Sequence, residues 1–257
     1  MKTRIWLIAR NCLTDVVRHK IISIHLIFIL IAAGLFNLFG HFSSSAALEY
    51  RMIQDVGISV ISLFGLLLTL FIGISTLREE LNRKTAYTIL TLPISRWEYY
   101  LGKFLGTLLA TVINITIMVL IFSVLLYLKF QVVWWTFFWI VIFMTMEFAI
   151  ISSLVLLFSL SDSTTLAFSF TFFLVIVGNL STYINHLIQE AEIPAFTYFG
   201  KVAFVFIPNF SLFNIKTRIL KSLDIPFSLV GWSSAYCLVY IAVAVGLGMY
   251  IMEKRDL

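Results

Sequence analysis

Charge is scarce in this sequence. Of its 257 residues, 12% are Asp, Glu, Lys or Arg, while 61% are hydrophobic. A soluble domain of this length must cover its core with polar side chains, and too few are present to do so. Cysteine and proline are sparse as well, with two of the first and four of the second. Cys12 and Cys237 fall far apart in the expected topology, so neither a disulfide nor a thiol metal pair is expected. His19, His25, His41 and His186 are scattered without ligand spacing. A phosphate loop is missing: Gly102-Lys103 is preceded at the required spacing by Trp97 and followed by Phe104. Neither H-E-x-x-H nor G-x-S-x-G occurs. These absences argue against a membrane-embedded enzyme and predict no catalytic residue, no metal site and no cofactor in the chain itself. No basic face with interleaved aromatics points to nucleic acid, so none is expected as a partner.

Long apolar runs take their place, and mean hydropathy is +1.01. Six runs approach the roughly 20 residues that cross a bilayer as helix, at 21–40, 56–77, 104–128, 135–160, 166–187 and 229–252. They lack the alternation of barrel strands, and in lipid a helix satisfies its own backbone. The expected fold is an all-α polytopic membrane protein with six transmembrane helices, forming a single transmembrane domain over 1–257. The basic start, "MKTRIWLIARNCLTDVVRHK", resembles a signal n-region, but the run behind it is long for a signal, so a retained first span is expected. Within 1–20, Ile5, Ile8, Cys12, Leu13 and Val16 recur at helical spacing opposite Arg4, Arg10, Asp15 and Arg18. That pattern suits an N-terminal interfacial helix, the alternative being a basic flank that merely orients the first span.

Orientation follows from the 18 basic residues. With both termini cytoplasmic, the inner side collects Lys2, Arg4, Arg10, Arg18, Lys20, Arg78, Arg83, Lys84, Arg96, Lys103, Lys254 and Arg255. The outer side keeps Arg51, Lys129, Lys201, Lys216, Arg218 and Lys221, four of them in one long loop where the rule weighs less. That outer loop, 188–228, carries Pro194, Pro208 and Pro226 around "AFTYFGKVAFVFIPNFSLFNI". It is too apolar for a free loop and too interrupted to cross, so short re-entrant helices are expected on the outer face.

The inner segment 78–103, "REELNRKTAYTILTLPISRWEYYLGK", is oversized for a connection. Pro93 stops a short apolar-polar stretch, and Ser95 with Glu98 forms an S-x-x-E capping box that starts the next helix. Arg78, Glu79, Glu80, Arg83 and Lys84 precede this stretch, and Arg96, Glu98 and Lys103 follow it. A surface helix docking a cytoplasmic partner fits these features. Gly102 and Gly106 make a G-x-x-x-G packing pair at the membrane edge. Glu147 lies near the middle of the fourth run, where a charged carboxylate costs on the order of 3 kcal/mol. It reads as an ion relay, as a substrate-pathway contact, or as a hydrogen-bonded group at a helix interface. Asp162, in "SLSDSTTL", reads as a turn or capping residue.

The segment "REELNRKTAYTILTLPISRWEYYLGKFLG" resembles the inner loop of type-2 ATP-binding-cassette (ABC) permeases through Arg78, Glu79, Thr85, Pro93, Ser95, Arg96, Gly102 and Lys103. Lys84 stands where that family commonly has Gly. "FIPNFSLFNIKTRI" and the ending "EKRDL" are similar to further parts of the family, nearest to the permeases of nitrous-oxide-reductase maturation and gliding-motility systems. The resemblance implies a homodimeric or paired permease in a bacterial inner (plasma) membrane, each copy docking one subunit of a cytoplasmic ATPase dimer that binds ATP and magnesium. It implies substrate movement in the export direction and leaves room for a periplasmic or extracellular accessory protein. The coupling residues would be Arg78, Glu79, Glu80, Arg83, Lys84, Thr85, Ile89, Pro93, Ser95, Arg96 and Glu98. The rival readings are an ion-coupled secondary transporter working through Glu147 and a non-transporting scaffold of an assembly complex. Secondary transporters often show repeated halves and broken spans, neither of which is visible in this sequence.

The basic asymmetry makes a direct prediction. On a background without Cys12 and Cys237, single cysteines at Ser43, Ser44, Ser45 or Ser222 should react with an impermeant reagent applied to intact cells. Ser95→Cys should react only after the membrane is opened, and its labelling from outside would reverse the orientation.

Overall fold

A computed structural model describes residues 2–18, 21–42, 45–79, 95–132, 135–161, 163–190, 207–221 and 223–254. All regular structure among them is helical. In chain order the helices are α1 (Lys2–Arg18), α2 (Ile21–Phe42), α3 (Ala46–Ile74) with a π-helical turn at Ser75–Glu79, and α4 (Arg96–Phe130). Then come α5 (Phe137–Phe158), α6 (Thr164–Asn179), α7 (Ser181–Glu190), a 3-10 turn at Phe210–Phe213, α8 (Lys216–Leu220) and α9 (Phe227–Lys254).

By length and apolarity, α3 with its π turn, α4, α5 and α9 each qualify to span a membrane. A fifth candidate is the bent pair α6 and α7, and the apolar stretch Ile24–Leu38 of α2 is shorter. Helices α3 and α4 begin earlier than hydropathy suggests. Ser45 caps α3, accepting from the Leu48 amide at 3.4 Å, so helix runs ten residues ahead of the apolar run expected from 56. The capping box at Ser95 likewise starts α4 eight residues ahead of the run expected from 104. At 35 residues α4 is roughly 52 Å long, well beyond an apolar layer of about 30 Å.

The fifth apolar run is not one straight helix over 166–187, as hydropathy suggests. It bends by 61° between α6 and α7. Leu180 leaves helical geometry, and the segment after 206 packs into the corner. A methyl group on Gly178 would lie 2.3 Å from the Pro208 carbonyl oxygen, and Ser181 Oγ donates to Asn209 Oδ1 at 2.7 Å. The break is invisible in composition because no proline marks it within the run.

The main core lies between α3, α4 and α5, with Ile61, Leu70, Phe122, Phe143, Phe148 and Ile151 nearly inaccessible. Apolar burial alone does not hold helices together in lipid, where packing closeness counts for more. Gly57 and Gly73 let neighbours press onto α3: methyl groups there would lie 2.0 Å from the Phe122 ring and 2.1 Å from Val155. Hydroxyl and amide side chains inside the bundle bond back to their own helices, as Thr69 does to the Gly65 carbonyl at 2.7 Å and Asn114 to Ala110 at 2.7 Å.

The two ends of the bundle differ. At one end α1 lies across the start of α4, with Ile8 over Gly102 and Cys12 over Gly106. The expected G-x-x-x-G pair is therefore the seat for α1. At the opposite end Lys129 of α4 donates to the Phe36 carbonyl of α2 at 2.6 Å and pairs with Glu49 of α3. Trp139 of α5 meets Phe227 of α9 edge-on, with ring centroids 6.2 Å apart. The 3-10 turn and α8 pack on this same end, burying Phe210, Phe213, Ile215 and Ile219.

Overpacking at the α3–α4 contact tests this arrangement. Gly57→Ala should destabilise the detergent-purified protein by about 1–3 kcal/mol. Adding Phe122→Leu should cost less than the sum of the two single changes, a coupling of about 0.5 kcal/mol or more in a double-mutant cycle. Strict additivity would place the two residues out of contact.

Candidate functional site

Two places bring polar side chains together, one at each end of the bundle. The first surrounds both ends of the segment singled out as a docking element. Arg78 and Glu79 fall in the π-helical turn that ends α3. Glu80, Arg83, Lys84, Thr85, Ile89 and Pro93 lie outside the described residues, as does Asp162. Ser95, Arg96 and Glu98 open α4, where the Ser95 amide donates to Glu98 Oε2 at 3.2 Å and completes the capping box. Arg96 reaches across to α9, its Nη1 donating to the Glu253 carbonyl at 3.2 Å. This intramolecular contact was not foreseen from the sequence.

Beneath these groups lies a second apolar core, separate from the main one. Ile8 of α1, Leu77 of the π turn, Tyr99, Tyr100 and Phe104 of α4, Leu156 and Leu160 at the end of α5, and Val245 and Met252 of α9 form it. Cys12 Sγ approaches Thr76 Oγ1 at 3.6 Å, joining α1 to the π turn. Lys103 is buried with its ammonium 5.5 Å from the Tyr99 ring centroid. Gly248 admits the Tyr100 ring so closely that a methyl group there would lie 2.1 Å from the phenol oxygen. Leu77 in the π turn and Tyr99 in the first turn of α4 thus belong to one packed cluster shared with α1, α5 and α9. Displacing either residue strains all of them, because a dense core transmits rather than absorbs movement.

The second place is a cavity of about 320 Å³ near the opposite end. Its apolar walls include Ile58 and Leu66 of α3 and Phe143 and Met144 of α5. Glu147 lines it ten residues into α5, and Asn179 of α6 lines it too. Glu147 is only half-buried, because part of it faces this space. Lys216 of α8 stands at the rim, paired with Asp55 at 2.8 Å and hydrogen-bonded to Ser59. Sequence reasoning found Glu147 and missed the rest. Asn179 carried a local signal, as the one amide at the end of "FTFFLVIVGN". Lys216 and Ser59, 157 positions apart, carried none.

Ser95, Arg96 and Glu98 at the start of α4 and Glu147 midway along α5 therefore form no single site. A family model described as ABC-2 family transporter protein matches residues 6–257. No curated protein matches the chain. The match takes in α2 to α9 and most of α1, and the chain belongs to the ABC-2 transporter family as a membrane permease of an ABC transporter.

Proposed function

We propose that this permease couples ATP hydrolysis on a separate cytoplasmic ATPase dimer to export of a substrate, through segment 78–103. ATP and magnesium would be held by that partner, whose closure would push on Arg78, Glu79, Glu80, Arg83, Lys84, Thr85, Ile89, Pro93, Ser95, Arg96 and Glu98. The observation that carries the reading is the core shared by Leu77 and Tyr99, close to the segment's two ends, with Ile8 of α1 and with Val245 and Met252 of α9. A second permease copy would complete the pathway, with six spans, both termini on the cytoplasmic side of a plasma membrane, and outer re-entrant helices before α9. α1 supports an interfacial position: Trp6 and Leu7 are exposed while Ile8, Ala9 and Cys12 face the bundle.

Pull-down of the ATPase subunit, with hydrolysis and transport in reconstituted vesicles, tests the proposal. Ile89→Pro and Arg96→Glu should leave the permease inserted and paired, yet weaken ATPase binding about tenfold or more, or uncouple hydrolysis from transport. Arg96→Gln keeps a donor for the Glu253 carbonyl and should be the milder change. Normal binding and coupling in both harsher variants would reduce the segment to a connector.

A further inference from the structure

The cavity at Glu147 sits away from the docking segment, and its charges are unevenly settled. Lys216 is neutralised by Asp55 at 2.8 Å and also hydrogen-bonds Ser59, whose hydroxyl donates to the Asp55 carbonyl at 3.0 Å. The rim is therefore a closed polar unit with little charge to offer an anion. Glu147 differs: among the described residues it joins no ion pair, and Asn179, which lines the same cavity, is a neutral amide that donates to the Val175 carbonyl at 3.0 Å. A carboxylate held in a spanning helix is costly unless a cation or a polar space compensates it. Here Glu147 faces a cavity of mixed lining, with Ser62 and Asn214 as polar groups beside the apolar Ile58, Leu66, Phe143 and Met144. At about 320 Å³ it falls at the small end of ligand sites, room for one compact organic molecule.

We infer that this cavity binds a protonated amine carried on an apolar body, with Glu147 as its counter-charge. The ammonium donates to the Glu147 carboxylate while the body lies against the apolar walls. A carboxylate ligand is repelled by Glu147, and a neutral alcohol of the same shape loses the charge-assisted bond. The inference rests on the transport reading above and names the substrate class that such a permease would carry.

The test uses the full-length permease in phosphatidylcholine nanodiscs, with empty nanodiscs subtracted. The probe is n-octylamine, measured against octanol and octanoate. Octylamine should bind saturably and about tenfold or more tighter than octanol, and octanoate should not bind. Glu147→Gln should bring octylamine down to the level of octanol, whereas Ser62→Leu, which places bulk in the cavity, should weaken both. Equal binding of amine and alcohol by the wild type would overturn the inference, as would an amine preference surviving Glu147→Gln. Where Glu147→Gln does not fold, loss of octylamine binding in a folded Ser62→Leu variant supports the cavity site, and unchanged binding there removes it. Reconstituted with its ATPase, the wild type should hydrolyse ATP faster with octylamine than with octanol. Binding without such stimulation would remove the amine as a transported substrate. Amine binding by a permease that captures no ATPase would sink the transport reading and leave the site. ATPase coupling without amine binding would do the reverse.

Discussion

Two helices in lipid gain little by hiding apolar surface, since the surroundings are as apolar as the side chains. How closely their backbones approach then decides how firmly they hold. Along α3 that approach is set by Gly57, Gly65 and Gly73, against Phe122, Phe148 and Val155. Steps of eight residues turn the helix by about 80° beyond two full turns, so the glycine line drifts around α3. It faces α4 at its first position and α5 at the next two. One helix thereby positions both neighbours, and the cavity walls drawn from α3 and α5 inherit their spacing from it.

The polar groups follow a matching economy. Several buried hydroxyls and amides in the helices bond to a carbonyl one turn back, which satisfies them without specifying a neighbour. Other polar side chains join different elements, three basic ones among them. Lys129 ties α4 to α2 and α3, Lys216 ties α8 to α3, and Arg96 ties α4 to α9. All three are basic side chains whose long apolar stems lie along the bundle while the charged tip finds an oxygen. They sit near the helix ends, where such tips reach water or headgroups most easily.

Much of this was legible in the sequence. Hydropathy located the long helices because an apolar run of sufficient length has few other uses, and the Ser95–Glu98 box announced the start of α4 through local chemistry. The bend after Asn179 was not legible. It depends on Pro208 and Asn209 arriving from a distant segment, and within its own run Gly178 looks like any membrane glycine. The glycine line on α3 was equally hidden, since a gap of eight residues is no packing motif until the opposing Phe122, Phe148 and Val155 are known. Glu147 stood out for its charge, but the cavity beside it is assembled from α3, α5, α6 and α8 by tertiary structure alone.

The length of α4 has a mechanical consequence. Its first turns are seated under α1 and against α9, and its last turn is pinned by Lys129 to α2 and α3. A helix of 35 residues is stiff over its roughly 52 Å, so it behaves as a beam held at both ends. Tilting it by about 10° around its middle would swing each end by roughly 4–5 Å in opposite directions. A push on one side of the membrane is thereby geared to an opposite displacement on the other, with Gly57 and Phe122 close to the far bearing.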